Sequence, residues 1–392
     1  MLTTVPPPTD RPFLLSVTGT NGKTSVTTFT HQILAGCGWP VASYTSFGVI
    51  SPDRTVTPVE IERTPEFLPD MIAGEHAKGA TAMALESFSG ALAVGLYQRV
   101  AVDTAICTGI ESDHLDFHKT FENYRDAKLR LFRQALRPEG IAIVPAEAPQ
   151  ADTVVAAARQ RGIRTWILGP DHEISLRDPA VRGDRTTGRL AIEGHDLGPV
   201  TFPFPDRIAV TNALLALAAV IAVGADVDAA VAAVAGLTPP EGRLQLVSQA
   251  RGITVIADSA HNPGAVRTAL LACRDRRPAR IIVVFGAGGE RDRQKRPEMG
   301  RVAAELADLV VLTDDNPRRE HPGRIRAEIR PGCPAAIEVP RRVDAIRAAL
   351  HMARAGDLVL LAGKGDETTQ SIAGVDHPHD DREVARRVLA EL

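Results

Sequence analysis

The stretch SVTGTNGKTSVTTF, residues 16–29, decides the fold of the N-terminal half. It predicts an apolar strand that ends at Val17, a turn with two glycines, and a helix from about Lys23. Glycines let backbone N–H groups approach phosphate oxygens, and a helix N-terminus adds partial positive charge. Lys23 is placed to reach the β- and γ-phosphates, and the Thr24 hydroxyl to bind Mg²⁺. The pattern is a shortened form, because GxxxxGK[ST] requires glycine at position 17; the alternative is a capping turn that merely contains GKT.

Apolar segments alternate with helical patterns along most of the remaining chain. This alternation is typical of parallel sheets covered by helices, whose ligands bind at the carboxyl ends of the strands. Residues 186–204 are interrupted by Gly and Pro and predict an edge hairpin, and residues 211–237 predict an alanine-rich helical pair. We therefore expect an α/β fold: a P-loop domain with a mostly parallel sheet over residues 1–240, and a Rossmann-like α/β domain over residues 241–392.

Composition limits the classes of function. The 392 residues include 44% hydrophobic side chains, enough for large globular cores. The 45 basic residues are balanced by 48 acidic ones, so charge does not point to nucleic acid. No apolar run reaches the roughly 18 residues of a membrane span, and no signal peptide is evident. We expect a cytoplasmic monomer or homodimer that acts on small molecules, without nucleic acid or membrane. The cysteines are too dispersed for a zinc ribbon or a disulfide framework: Cys37, Cys107, Cys273 and Cys333.

Two segments after the phosphate loop carry candidate metal ligands. Glu86 ends the apolar segment TAMALE, and a carboxylate at a strand end beside a phosphate loop is a natural Mg²⁺ ligand. Further along, SDHLDFH crowds four polar side chains into about one turn: Asp113, His114, Asp116 and His118. Their spacing is compatible with a zinc site and with a polar helix cap.

Lys128 lies on the predicted buried side of a helix. Tyr124, Leu131 and Phe132 stand at positions i−4, i+3 and i+4 from it. Desolvation lowers the pKa of a lysine and favours the neutral amine, which can react with CO₂ to form a carbamate, a carboxylate-like metal ligand. The alternative is a lysine whose stem packs while its ammonium reaches solvent.

Three segments carry a resemblance to the Mur ligases. GTNGKT is the form of phosphate loop found in Mur ligases and folylpolyglutamate synthetases. ESFSGAL (86–92) and TGIESDHLDFHKTFENYRDAKLRLF (108–132) resemble the MurE branch, the UDP-N-acetylmuramoyl-tripeptide synthetases. The resemblance implies ATP-dependent amide formation, with Lys23, His114 and Lys128 as catalytic residues. It implies two Mg²⁺ ions held by Thr24, Glu86, His114 and carbamylated Lys128. It implies nucleotide contacts from Gly19, Thr20, Asn21, Gly22, Lys23, Thr24 and Ser25.

A second group of resemblances concerns the nucleotide. DSAHNPGA (258–265) is similar to the nucleotide-contacting start of the third Mur ligase domain, which folylpolyglutamate synthetases share. The resemblance implies that Asp258 and His261 lie near the ribose. It also places Asn212 where the family contacts adenine and Arg243 where it contacts phosphates. For Arg243 an interdomain salt bridge is the alternative.

The longest resemblance covers residues 283–322 and is to the MurE branch in particular. Chemically, Arg318 can bind a carboxylate through two N–H groups, while Asp315 and Asn316 can hydrogen-bond an amino-acid head group. In that branch DNPR and the segment around AGKGDETTQ (362–370) bind meso-diaminopimelate. The implied substrate contacts are Arg291, Asp315, Asn316, Arg318, Gly363 and Glu367.

The chain departs from the MurE pattern on the acceptor side. MurE enzymes carry a UDP-sugar-binding domain before the phosphate loop, which here begins near residue 16. Gly90 and Gly109 replace the family's histidine and asparagine, while Asp366 and Thr369 replace a histidine and a tyrosine near the amine. We therefore expect ATP to activate a different, smaller carboxylate as an acyl phosphate, which diaminopimelate or a similar amine captures with release of ADP and phosphate. The alternatives are a folylpolyglutamate- or cyanophycin-type ligase and a Mur-like subunit that works with a partner.

Overall fold

The computed structural model describes residues 2–392 and contains two compact units, which end and begin at Thr238 and Pro239. The sequence had placed this boundary near residue 240. Each unit is built on its own sheet covered by helices, which confirms the α/β prediction. No helix among residues 2–392 combines the length and the apolar character that crossing a membrane requires.

The N-terminal unit contains an 11-stranded sheet in the order β11-β10-β9-β8-β7-β6-β1-β5-β2-β3-β4. Its strands are β1 Phe13–Thr18, β2 Val41–Thr45, β3 Gly48–Ile50, β4 Val56–Thr57, β5 Ala82–Glu86, β6 Val102–Cys107, β7 Leu136–Pro145, β8 Arg164–Leu168, β9 Ile174–Arg182, β10 Arg185–Ile192 and β11 His195–Phe202. Its helices are α1 Lys23–Gly36, α2 Phe67–Ala77, α3 Ser89–Ala93, α4 Leu115–His118, α5 Phe121–Arg130, α6 Ala151–Arg159, α7 Arg207–Ala222 and α8 Val227–Val234. A π-helical turn, Leu131–Ala135, continues α5.

Strand β1 lies in the middle of this sheet and sets the position of the phosphate loop. It pairs in parallel with β5 and β6, in a register that places Val17 opposite both Glu86 and Ile106. All three strands are buried along their whole length, which is why each reads as a continuous apolar run. Because parallel strands end at one edge, the loops after β1, β5 and β6 meet there.

The predicted edge hairpin and helical pair are both present. Strands β10 and β11 pair antiparallel, with Thr186 opposite Phe202, and end the sheet on one side. Helix α7 is buried on nearly every face, which suits its uninterrupted apolar sequence. The side chain of Asp206 caps it by accepting a 2.8 Å hydrogen bond from the backbone N–H of Ala209.

The C-terminal unit contains a six-stranded sheet in the order β12-β13-β17-β14-β15-β16 and a separate hairpin, β18-β19. Its strands are β12 Gln245–Ala250, β13 Ile253–Asp258, β14 Ile281–Phe285, β15 Leu309–Leu312, β16 Ile337–Glu338, β17 Leu358–Ala362, β18 Thr369–Ile372 and β19 Val375–Pro378. Its helices are α9 Pro263–Asp275, α10 Lys295–Leu306, α11 Pro322–Ile329, α12 Arg342–Met352 and α13 Asp381–Glu391, with a 3₁₀ turn at Arg330–Gly332.

All strand pairs of this sheet are parallel except β12-β13. The loops that follow β13, β14, β15 and β17 therefore leave the same edge of the sheet. These loops contain residues 259–262, 286–294, 313–321 and 363–368, and with them all six predicted substrate contacts.

Candidate active site

The phosphate loop is held by the loop that follows β6. Gly19 has φ +140°, and a Cβ there would overlap the Thr108 hydroxyl, so only glycine fits this position. The backbone N–H of Thr20 donates to the carbonyl oxygen of Gly109 at 2.7 Å. Lys23 begins α1 and donates from Nζ to the carbonyl oxygen of Thr20 at 2.9 Å. The Lys23 side chain thus folds back over the loop, on which the phosphates that it is predicted to contact would bind.

Three residues that the sequence did not identify support this loop. The Thr20 hydroxyl lies 3.0 Å from the Tyr124 hydroxyl and accepts a 2.9 Å bond from the backbone N–H of Glu111. Asn21 donates from Nδ2 to Glu111 Oε2 at 3.3 Å, and its carbonyl oxygen accepts a 2.5 Å bond from the Thr108 hydroxyl. Burial is the first cause that raises the pKa of Tyr124, so its hydroxyl remains protonated as a donor. Only the polar character of Thr108 and Glu111 just after a predicted strand signalled them.

Thr24 and Glu86, the two residues predicted to bind Mg²⁺ beside the phosphate loop, are in direct contact. The Thr24 hydroxyl donates to Glu86 Oε2 at 2.9 Å, and the same carboxylate oxygen accepts from the Ser46 backbone N–H at 3.3 Å. Both side chains are buried at the edge where β1 and β5 end. Burial, followed by the Glu86 charge, raises the pKa of nearby Tyr44 to about 12. Two adjacent hard oxygen donors fit Mg²⁺, which commonly takes one or two protein ligands and completes its shell with phosphate oxygens and water.

The segment after β6 is arranged as a polar turn. His114 has φ +54°, and its backbone N–H donates to Asp113 Oδ1 at 2.9 Å. The His118 ring is buried, and its Nε2 lies 3.0 Å from the Ser89 hydroxyl. Within residues 2–392, no group of three or more His, Cys, Asp or Glu side chains could hold a metal ion. The arrangement therefore favours the polar cap over the zinc site.

Lys128 is only 1% exposed, so the alternative in which its ammonium reaches solvent is wrong. Nζ donates to the carbonyl oxygen of Gly19 at 2.6 Å and lies 4.7 Å from the centroid of the Tyr124 ring. Burial, and then the charge of Lys23, lower the pKa of Lys128 well below its usual value. The environment therefore favours the neutral amine that carbamate formation needs.

Two further predicted nucleotide contacts lie in this unit. Asn212, on α7, adjoins the loop: its Oδ1 would be 3.0 Å from a Cβ on Gly22. Ser25, in the first turn of α1, is partly buried. Asn212 and the phosphate loop are thus brought together from segments about 190 residues apart.

The other predicted nucleotide contacts form one cluster at the end of β13, in the C-terminal unit. Asp258 Oδ2 accepts from the backbone N–H of Leu244 at 2.8 Å. Arg243 donates to the Ser259 hydroxyl, and His261 Nδ1 lies 2.7 Å from the Ser259 carbonyl oxygen. Arg243 is therefore oriented by a hydroxyl within its own unit.

The predicted amine site is assembled from two loops of the C-terminal unit. Asn316 donates from Nδ2 to Glu367 Oε2 at 2.7 Å. Lys364, which the sequence did not single out, donates from Nζ to Asn316 Oδ1 at 2.9 Å and to Glu367 Oε2 at 2.6 Å. The lysine, amide and carboxylate form a closed triangle, which fixes the orientation of the Asn316 amide.

Arg318 and Arg291 both adjoin the glycine-rich loop after β14. Arg318 has φ +56°, and its Nη1 donates to the carbonyl oxygen of Gly289 at 2.6 Å. A Cβ built on Gly288 would be 3.0 Å from Arg318 Nη1 and 3.6 Å from Arg291 Cγ. Two guanidinium side chains thus flank one stretch of backbone, an arrangement suited to carboxylate groups.

Arg296 stabilises this glycine-rich loop, a role that the sequence did not indicate. Its side chain is completely buried; it pairs with Glu320 at 2.8 Å and Glu328 at 2.7 Å and donates to the carbonyl oxygen of Gly288 at 3.1 Å. The available signal was its position on α10, three residues before the buried Met299.

Two family profiles match the chain. The one described as Mur ligase middle domain matches residues 17–220, and the one described as Mur ligase, glutamate ligase domain matches residues 242–365. Among curated proteins, a UDP-N-acetylmuramoyl-L-alanyl-D-glutamate–2,6-diaminopimelate ligase of Bradyrhizobium diazoefficiens is 38% identical over 388 residues, which is 96% of this chain and 79% of the relative. The ligase of the same name from Caulobacter vibrioides is 38% identical over 379 residues, 94% of this chain and 77% of the relative.

Solved structures give the same picture. A structure of a UDP-N-acetylmuramoyl-L-alanyl-D-glutamate–2,6-diaminopimelate ligase superposes with a TM-score of 0.65 at 28% identity and covers 99% of this chain and 79% of its own. The folylpolyglutamate synthase of Mycobacterium tuberculosis, solved with ADP, gives a TM-score of 0.71 at 18% identity, over 97% of this chain and 91% of its own. The second likeness concerns the fold alone.

Proposed function

Because this chain belongs to the Mur ligase family and is an ATP-dependent acid–amino-acid ligase, we propose that it joins meso-diaminopimelate to the carboxylate of a UDP-muramoyl dipeptide. The observation that carries the amine assignment is the triangle of Asn316, Lys364 and Glu367 beside Arg318. For the acceptor, the curated relatives described above are named as ligases of UDP-N-acetylmuramoyl-L-alanyl-D-glutamate. The smaller acceptor expected from the sequence has no support from these relatives, so the dipeptide takes its place in the proposal.

The N-terminal unit handles the nucleotide in this proposal. Backbone N–H groups of residues 19–24 bind the phosphates, and Lys23 exchanges its bond with the Thr20 carbonyl for one with the γ-phosphate. Thr24 and Glu86 would hold Mg²⁺ through the side-chain oxygens that face each other, and His114 would contribute to a second ion. Bound magnesium would neutralise charge on the transferring phosphoryl group.

Lys128 would act as a carbamate that orients a metal ion rather than as a base. Its burial and its lowered pKa support this role, because the neutral amine is the form that adds to CO₂. The carbamate N–H keeps one donor for the Gly19 carbonyl oxygen, so the existing bond can persist after modification.

The chemistry then has two balanced steps. An acceptor carboxylate oxygen attacks the γ-phosphorus and ADP leaves, which forms an acyl phosphate. The amine attacks the acyl carbon, phosphate leaves, and the nitrogen loses a proton to give the amide. Arg318 and Arg291 bind carboxylates of diaminopimelate. An ammonium group of the same substrate is bound by Asp315, Asn316 and Glu367. Gly363 has no side chain, so the backbone at this position can lie close to the Asp315 carboxylate.

Phosphate release tests the proposal. With ATP, Mg²⁺ and UDP-N-acetylmuramoyl-L-alanyl-D-glutamate, release should require meso-diaminopimelate and be negligible with L-lysine or L-glutamate. Arg318→Lys should raise the KM for diaminopimelate by about tenfold or more, because a lysine cannot make the two-pronged contact. The matched control is Arg319→Lys, which changes the exposed neighbouring arginine.

Each alternative predicts a different result. Release that glutamate supports as well as diaminopimelate would favour a polyglutamate-type ligase. Release with diaminopimelate and a smaller acid, but not with the dipeptide, would overturn the acceptor assignment alone. No release with any pair of substrates would favour a subunit that works with a partner.

A further inference from the structure

Behind the amine site lies a buried ion cluster that the proposed reaction does not use. Arg342, the first residue of α12, is 1% exposed. Its Nε donates to Asp381 Oδ1 at 2.8 Å and its Nη2 to Asp381 Oδ2 at 2.5 Å, a two-pronged pair in which both side chains are completely buried. Nη2 also donates to the carbonyl oxygen of Ala362 at 2.9 Å, and His379 Nε2 lies 2.7 Å from Asp381 Oδ1. Three hydrogen bonds from two of its nitrogens therefore fix the plane of the guanidinium.

The remaining guanidinium nitrogen faces the amine site. Arg342 Nη1 lies 4.0 Å from Asp315 Oδ2, within the range of an ion pair but too far for a hydrogen bond. Within residues 2–392, both atoms are buried without a hydrogen-bond partner. A buried charge without a partner is costly, and the Arg342 guanidinium is the opposite charge that faces the Asp315 carboxylate at this depth.

Asp315 in turn arranges the substrate-facing turn. Its Oδ1 accepts from the backbone N–H of Asn316 at 2.8 Å, and its carbonyl oxygen accepts from Gln370 Nε2 at 2.6 Å. The next side chain, Asn316, belongs to the triangle with Lys364 and Glu367. A chain of contacts therefore runs from Arg342 through Asp315 to the groups predicted to bind the ammonium.

We propose that Arg342, oriented by Asp381, is a positioning residue for the amine substrate, which holds the Asp315 turn in its ligand-binding arrangement. This inference rests on the proposed function, because it takes residues 315–318 as the amino-acid site. Arg342 does not touch the substrate; its effect passes through Asp315.

Arg342→Lys tests the inference, because lysine keeps the charge but cannot pair with Asp381 on two prongs and face Asp315 as well. The KM for diaminopimelate should rise about tenfold or more, with kcat within about threefold and the KM for ATP within about twofold of wild type. The matched control is Arg326→Lys: Arg326 is another mostly buried arginine, and it pairs with Asp314, the residue just before Asp315. This control should leave the KM for diaminopimelate within about twofold. Circular dichroism melting verifies that each variant is folded.

An unchanged KM for diaminopimelate in folded Arg342→Lys would overturn the inference, and so would an equal rise in Arg326→Lys. If Arg342→Lys does not fold, the paired variant Arg342→Gln/Asp381→Asn removes both charges together and should show the same rise. A crystal structure of the wild-type chain with diaminopimelate decides without any variant: Asp315 Oδ2 should remain directed at Arg342 Nη1, and a carboxylate turned away would contradict the role. Failure of the wild type to use diaminopimelate would instead count against the proposed function itself.

Discussion

The Nζ of Lys128 and the carbonyl oxygen of Gly19 are joined by a 2.6 Å hydrogen bond, although the two residues are 109 positions apart. The bond ties α5 to the first residue of the phosphate loop. Gly19 has no room for a side chain, because a Cβ there would overlap the Thr108 hydroxyl, so the loop backbone packs directly against the loop after β6. A change in the charge of Lys128 would therefore act directly on the backbone of the phosphate loop.

Lys128→Ala should lower turnover by about 100-fold or more, because it removes the buried nitrogen on which the carbamate would form. If the carbamate is the active form, millimolar formate or acetate should restore part of the activity by supplying the missing carboxylate. Phosphate release with and without these acids is the measurement. Lys128→Met, which keeps the stem, should be inactive alone and rescued poorly, since it fills the space. Undiminished turnover in Lys128→Ala would contradict the role.

Glu86→Gln should raise the Mg²⁺ concentration for half-maximal turnover by about tenfold or more, since the amide keeps an acceptor for Thr24 but loses the charge that attracts the cation. Turnover measured across a Mg²⁺ titration tests this. Glu75→Gln is the control: Glu75 is also buried in the N-terminal unit, but it pairs with Lys78 at 2.7 Å. The same Mg²⁺ dependence in Glu86→Gln and wild type would exclude Glu86 as a ligand.

Gly363→Ala should lower the free energy of unfolding by about 3 kcal/mol, because φ is +118° and the new Cβ would overlap Asp315 Oδ2. It should also weaken diaminopimelate binding, since Asp315 must move. Gly356→Ala is the control, with φ +93° and a nearest neighbour at 3.3 Å, and should cost about 1 kcal/mol. Urea unfolding of both variants gives the comparison. Equal losses would show that the crowding at Asp315 is relieved at no cost.

Glu320 should make stability depend on acid pH. The pKa of Glu320 is lowered from 4.5 to about 2, mainly by its hydrogen bonds with Arg296. A carboxylate with a lowered folded-state pKa contributes stability above its unfolded pKa and loses it as pH falls through the folded value. Glu320→Gln should therefore be less stable than wild type at pH 7 by up to about 3 kcal/mol, with the difference shrinking between pH 4.5 and about 2.

Urea unfolding at several pH values measures that difference. Glu298→Gln is the control, because Glu298 is paired with Arg301 on the surface, where water screens the charges. It should change stability little at any of these pH values. A difference between wild type and Glu320→Gln that stays constant from pH 7 to pH 3 would contradict the assignment.

Local pattern was sufficient for part of this site. The glycine-containing turn lies directly before Lys23 and Thr24, and the apolar neighbours of Lys128 lie within four residues of it. Spacing therefore indicated a phosphate loop and a lysine on the buried side of its helix. The glycines and prolines of residues 186–204 likewise predicted the edge hairpin. Spacing left open whether the nitrogen of Lys128 is buried or reaches solvent, because a long, flexible side chain can bury its stem and still expose its end.

Contacts between distant segments could be decided only by the tertiary structure. Sheet register places Glu86 opposite Val17, and the loop that follows β6 brings Thr108 and Glu111 to the phosphate loop. The same holds for Lys364, which meets Asn316 across 48 positions. The sequence by itself determined the fold class, the phosphate loop and the family, since these depend on short patterns. The partners of the buried charges depend on which strands end at the same edge of a sheet. Strand order and register decide this, and both arise only in the tertiary structure.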